Sequence, residues 1–357
     1  MKATRSLALA VGFVGVSITA ASGTSHAEYR GGPPAGAAQI CSLGSEGVGQ
    51  PGTLICKEIL SGATTQSIPI GATVSAAGGI AASLVARDHR VLVTNQAGGA
   101  ILFRLVDGML RDAQVLQTDG EGSLSGALGA RGAYVLTGTT LRFFPSGQTT
   151  ASSARKLLLA DGSAAAVTLT SRFAYVSEKK GSLEAFGLGH DGRLTSDATP
   201  VAGISPGTIV GITGLDDLVV APIAHLATNF DQAEISVGTG LSQVQRIATK
   251  EVAACWAAND GDDEVCVTNP GSMTVSCGRA SGSGLLSYTG AAASLPGESV
   301  FDLDMSENLV GMQGIHDGKP VLITLRRSAG DFLVPLGEIT VGTPVAAGAL
   351  LLPAVGR

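Results

Sequence analysis

His225 and His316 are the residues best suited to move a proton near neutral pH, because a free imidazole titrates there. His225 lies in "APIAHLATNFDQ" (221–232), together with Asn229 and Asp231, and His316 precedes an Asp-Gly pair at 317–318. An imidazole beside a carboxylate can act as a general acid or base, and Asn229 and Asp231 could hold a polar substrate. Glu121 in "TDGEGS" and Glu298 in "LPGES" occupy similar loop positions, and Lys179, Lys250 and Glu251 add further loop charges. Paired carboxylates can bind a cation or do acid–base work, although solvated loop charges account for such residues equally well. Asn95 and Asn269 are explained by turn capping, and Trp256 by core packing. The chain contains no Walker loop, G-x-G-x-x-G fingerprint, G-x-S-x-G elbow or H-E-x-x-H pair, so nothing calls for an organic cofactor or a metal.

These residues are positioned by a faint internal repeat. The best copies are "RVLVTNQAGGAILFRL" (90–105), "RFAYVSEKKGSLEAFGL" (172–188) and "DEVCVTNPGSMTVSCGR" (263–279). Each has a β-rich run, a short Gly-containing loop and a second alternating run. Anchors at Ser42, Thr94, Thr137, Ser177, Ala221, Thr268 and Met312 are spaced roughly 40 to 52 residues apart, the period of four-stranded propeller blades. A run of small apolar residues precedes each copy, as in "AAAVTLTSR" (164–172) and "VFDLDMSEN" (300–308). Small residues suit the innermost strand of a blade, where the sheets crowd around one axis. The prediction is an all-β, seven-bladed propeller over residues 38–353. The C-terminal strand "PVAAGALLLP" (344–353) completes blade 1 and closes the ring. The competing architecture, two β-sandwiches, does not require seven equal units.

In such a ring one rim collects the loops after each second strand and the loops leading into each innermost strand. His225, His316, Glu121, Lys179, Lys250, Glu251 and Glu298 all fall on that funnel rim. His89, His190, Arg87, Arg131 and Arg172 fall on the opposite one. The stretch holding His225 is the longest funnel-side insertion after blade 1, and long loops on one rim tend to carry specificity.

Composition narrows the function classes. Charged residues make up 15% of the chain and the net charge is −6 with no basic cluster, which argues against nucleic-acid binding. Glycine is abundant at 50 residues, but 14 prolines and the lack of a G-x-y period exclude collagen. Residues 1–27 have a Lys2/Arg5 positive start, an apolar stretch and Ser25-His26-Ala27, which together make a cleavable secretory signal peptide. A short N-terminal segment (28–37) then leads into the propeller. The mature chain is expected to be periplasmic or secreted, free of the membrane, and a monomer.

Five cysteines in an exported chain suggest disulfides with one thiol left over. Aligning "ICSLGSEGVGQPGTLIC" (40–56) with "VCVTNPGSMTVSC" (265–277) places Cys41 on Cys266 and Cys56 on Cys277. The predicted bridges are Cys41–Cys56 and Cys266–Cys277, with Cys255 as a competitor for Cys266. Five unbridged core cysteines are the alternative.

The "VLVTN" (91–95), "VCVTNPGSMTVS" (265–276) and "AYVSEKKGSLEAFGLGHDGRLT" (174–195) blocks resemble blades of the lactonase-type seven-bladed propellers. That family includes a bacterial 6-phosphogluconolactonase and a fungal carboxymuconate cyclase. The resemblance covers most of residues 38–353 and implies the opening or closing of a lactone ring at the funnel end of the channel. The expectation is therefore an exported propeller that hydrolyses or isomerises a small lactone or sugar acid. The alternative is a non-catalytic scaffold that binds an unknown protein partner.

Overall fold

The structure is a computed structural model that describes residues 37–47, 49–73, 84–94, 99–225, 234–280, 286–295, 297, 299–306, 309–327 and 333–354. Seven four-stranded antiparallel sheets form the ring. Six blades are built from consecutive strands. Blade 1 takes its innermost strand, Val345–Pro353, from the chain's end and pairs it with Ala37–Ser45. This is the closure expected from the sequence, and it pairs the inner edge of Ala37–Ser45, which would otherwise invite association. Residues 1–27, read from the sequence as a signal peptide, and Asn95, Asn229, Asp231 and Glu298 lie outside the described residues.

The innermost strands of blades 2 to 7 are Leu84–Arg87, Ser123–Gly129, Ala164–Leu169, Thr213–Leu215, Trp256–Asn259 and Ser299–Ser306. Their small residues are a steric requirement. A Cβ at Gly214 would stand 1.9 Å from the Leu169 carbonyl oxygen of the preceding blade, and one at Gly126 would stand 2.4 Å from Leu92 Cδ2. Apolar residues on the second and third strands fill the spaces between blades, as Val219, Ala221 and Ile223 do with Tyr175 and Leu183. Tight turns use the expected chemistry. Asp107-Gly108 and Asp317-Gly318 take positive φ at both positions (50° and 71°; 49° and 66°), matching the right-handed twist of the strands they join.

Side chains stitch blade to blade. The Gln39 and Gln66 amides donate to the Gly108 carbonyl at 3.1 and 2.8 Å, tying blade 1 to blade 2. Asn259 Nδ2 of blade 6 donates to Thr213 Oγ1 and the Gly214 carbonyl of blade 5 at 2.6 and 2.9 Å. Asp304 Oδ2 of blade 7 accepts the Leu351 backbone N–H of the closing strand at 2.8 Å. Arg327 of blade 7 pairs with Asp260 of blade 6 at 3.5 Å and with the buried Glu264.

Both predicted disulfides are present. Cys41 faces Cys56 and Cys266 faces Cys277 across the second and third strands of blades 1 and 6. They close loops of 15 and 11 residues, each worth about 3 kcal/mol in the chain-entropy picture. Cys255 is unbridged and part-buried, and burial pushes its thiol up to about 12.

Candidate functional site

The funnel rim brings three ionisable groups of blade 5 together. His225 follows the second strand, Leu218–Ile223, Glu234 opens the third, Glu234–Thr239, and Arg246 sits on the outermost, Ser242–Ala248. Ile223 is in register with Glu234, and Ser236 with Arg246, so one blade face carries the trio. His225 Nε2 stands 3.5 Å from Glu234 Oε2, and Arg246 Nε stands 3.5 Å from Glu234 Oε1. Glu234 is only 8% exposed. Gly207, in the loop leading into blade 5, backs onto the other ring nitrogen, where a Cβ would lie 3.3 Å from His225 Nδ1. The Glu234 carboxylate and, beyond it, the Arg246 guanidinium stand on the Nε2 side of the ring, and Gly207 backs onto Nδ1.

The other rim candidates are employed differently. His316 Nδ1 meets the Glu338 carboxylate at 2.7 and 2.9 Å, and Glu338 belongs to the outermost strand of blade 7. Glu121 accepts hydroxyls from Thr137, Thr139 and Thr140 at 2.5, 3.2 and 3.2 Å. These bonds, the Thr137 bond foremost, hold its carboxyl below the usual carboxylate range. Glu251 accepts Thr274 Oγ1 at 3.0 Å in the same manner. Each of these glutamates, from the loop leading into a blade, secures the turn between that blade's second and third strands. Lys179 and Lys250 are exposed. The structure thus places His225 in a charged constellation and leaves Glu121, Glu251 and His316 outside it.

Two groups were not singled out from the sequence. Glu178 ends the second strand of blade 4, is 0% exposed and accepts Ser163 Oγ at 2.6 Å. Burial, reinforced by Glu184 and Asp161 nearby, pushes its carboxyl up to about 7. The second group lines the central channel. A cavity of about 180 Å³ is walled by residues 84–87, 126–128, 167–169, 211–216, 256–259, 261 and 302–304. Asp302 and Asp304 from blade 7 bring carboxylates to it, and burial pushes Asp304 up to about 7. The signal in the sequence was "FDLD" (301–304), two acids within one innermost strand.

Glu264, Cys266 and Cys277 also cluster. The two sulfurs are bonded to each other and Glu264 pairs with Arg327, so the donor set does not suit a metal.

No protein-family model matches the chain, and no curated protein matches it in sequence. Solved structures do match in fold. The periplasmic gluconolactonase PpgL of Pseudomonas aeruginosa superposes with a TM-score of 0.60 at 12% identity, covering 89% of this chain and 100% of that one. A Bacteroides fragilis protein provisionally named a 6-phosphogluconolactonase gives 0.59 at 12% identity, covering 89% and 99%. The fold is therefore the seven-bladed propeller that the repeats implied, shared with these structures. A hypothetical selenium-binding protein of Sulfolobus tokodaii also superposes, at 0.61 and 8% identity over 90% and 95%. One ring thus serves proteins of different description, and the chemistry has to be argued from the site.

Proposed function

We propose that the protein is an exported lactone hydrolase acting at the funnel rim of blade 5. The observation that carries this reading is the imidazole of His225 standing 3.5 Å from the buried Glu234 carboxylate. His225 acts as general base. It takes a proton from water as the water oxygen bonds to the ring carbonyl carbon. The carbon–oxygen bond of the ring then breaks, and the ring oxygen receives the proton to give the hydroxy acid. Glu234, held by Arg246, orients the ring and stabilises the imidazolium. Two disulfides and the signal-like residues 1–27 support export.

The test is a screen of small lactones, glucono-δ-lactone first, with the mature protein, His225→Ala, His316→Ala and the double variant. Loss of general-base help lowers kcat/KM about a hundredfold or more in His225→Ala, and His316→Ala retains activity. Turnover that survives His225→Ala overturns the assignment. The hydroxyl bonds that occupy Glu121 and Glu251 favour a second reading, a binding scaffold without chemistry. The absence of turnover across the screen would select it. Mass spectrometry of the protein recovered outside the cytoplasm, with an N-terminus near Glu28, checks export.

A further inference from the structure

His225 is held from two blades at once, through two glycines. Gly207 lies between the end of blade 5's second strand and the funnel-side turn of blade 4, residues 179–181. On one side, a Cβ at Gly207 would stand 2.4 Å from Ile223 Cγ2, 3.1 Å from the Ala224 carbonyl oxygen and 3.3 Å from His225 Nδ1. These are three consecutive residues of the segment that carries the imidazole. On the other side, a Cβ at Gly181 would stand 2.3 Å from the Gly207 carbonyl oxygen and 2.7 Å from its nitrogen. Backbone packs on backbone there, so the loop has no room to withdraw toward blade 4.

Hydrogen bonds fix both layers. The Gly181 N–H donates to the Glu178 carbonyl at 2.9 Å and closes the blade 4 turn. Thr208 and Ala224 exchange backbone bonds in both directions, at 2.8 and 2.9 Å, so the residue after Gly207 is tied to the residue before His225. Gly181 takes a φ of +91°, which favours glycine in itself. Gly207 does not take a left-handed φ, so the position uses the missing side chain rather than the backbone angle. Non-bonded carbons rest about 3.5–4.0 Å apart, so a methyl at 207 would push the 223–225 segment by on the order of 1 Å. The 3.5 Å separation of His225 Nε2 from Glu234 would change with it. We infer that Gly207 is a positioning residue for His225, backed by Gly181, so that the turn of blade 4 sets where the imidazole of blade 5 stands. The inference rests on the reading of His225 as general base and adds that its site is assembled across the gap between two blades.

The test combines NMR with kinetics. Without His26, four of the chain's five histidines remain, and His225→Ala identifies the His225 ring signals. Gly207→Ala and Gly181→Ala should each move those signals and leave the signals of His89, His190 and His316 in place. In lactone turnover kcat should fall about tenfold to a hundredfold with KM changed less than about twofold, as for a catalytic group misplaced by about 1 Å. Gly240→Ala is the control. Gly240 lies in a blade 5 turn of the opposite rim at φ +57° with open space around it, so the substitution strains the backbone without reaching His225 and should move neither the signals nor kcat. Near-UV circular dichroism checks that each variant is folded. Unmoved His225 signals in folded Gly207→Ala, or moved signals with an unchanged kcat, would overturn the positioning role. Unmoved signals in folded Gly181→Ala would remove blade 4 from it. If the parent protein turns over no lactone, the general-base reading fails, and the NMR shifts by themselves still decide whether the two glycines set the ring.

Discussion

The carboxylates of the funnel rim and those of the interior behave in opposite ways, though the residue types are the same. On the rim, Asp161 meets Lys180 and the Ser163 N–H, and its carboxyl is held down to about 2. Three threonine hydroxyls likewise lower Glu121. Inside, Glu178 has one hydroxyl partner and Asp304 accepts the Leu351 backbone N–H, and burial pushes both up to about 7. The number of donors against the loss of solvent decides the sign. Rim acids stay ionised and hold turns in place. Glu178 and Asp304, by contrast, hold a proton toward neutral pH.

The largest consequence is a dependence of stability on pH. Unfolded, Glu178 and Asp304 release their protons near the ordinary values of 4.5 and 3.8, but in the fold they keep them up to about 7. Between those limits the unfolded chain binds fewer protons than the native one, so stability falls as pH rises. Each group contributes at most about 1.4 kcal/mol per pH unit, several kcal/mol in total across the window. Calorimetry should give a higher Tm at pH 5 than at pH 8, and Glu178→Gln combined with Asp304→Asn should flatten the slope. An equal or higher Tm at pH 8 would erase the contrast between the two sets. The rim acids act in the other direction, and only at acid pH. Their depressed values stabilise the fold above the ordinary carboxylate range, and that contribution is lost as pH falls through it.

Glu184 sharpens the comparison, because it shares a blade with Glu178 and is almost as buried, at 1% exposure. Its two oxygens accept the Leu158 and Leu159 backbone N–H groups at 2.9 and 3.0 Å. Glu184→Ala therefore leaves two donors of the loop between blades 3 and 4 without an acceptor and should cost about 2–4 kcal/mol. Glu184→Gln keeps one acceptor and should cost clearly less. Urea melts of the two variants measure the difference. If they are equally stable, the loop does not depend on that carboxylate.

The ring itself was readable because its signals repeat. Small-residue innermost strands, Asp-Gly turns and a Cys pair at the same register in two blades all follow from backbone geometry, which a sequence records locally. The same alignment placed His225 correctly at the end of a second strand but could not reveal Glu234, nine residues away in the chain and opposite Ile223 in the sheet. It also could not separate Glu121 from a solvated loop charge. The three threonines that employ it lie 16 to 19 residues further on, and their hydroxyls converge only when the turn of blade 3 folds over the loop. Asp302 and Asp304 were visible as acids in an apolar strand. Their meaning depended on the innermost strands of five other blades leaving a cavity beside them.

The smallest expected effect tests the rim side directly. Glu121 is partly solvated, and Arg142 approaches it at only 3.9 Å, so its bonds compete with water and its charge is screened. Glu121→Gln retains an oxygen for Thr137 and removes the charge, and should lower stability at pH 7 by less than about 1 kcal/mol. The loss should shrink in high salt and vanish at acid pH, where the native carboxyl is itself protonated. Denaturant melts at two salt concentrations and two pH values measure it. A cost as large as that of Glu184→Ala, or one that persists unchanged in acid, would mean that the rim carboxylates are held as tightly as the interior ones and that exposure does not distinguish the two sets.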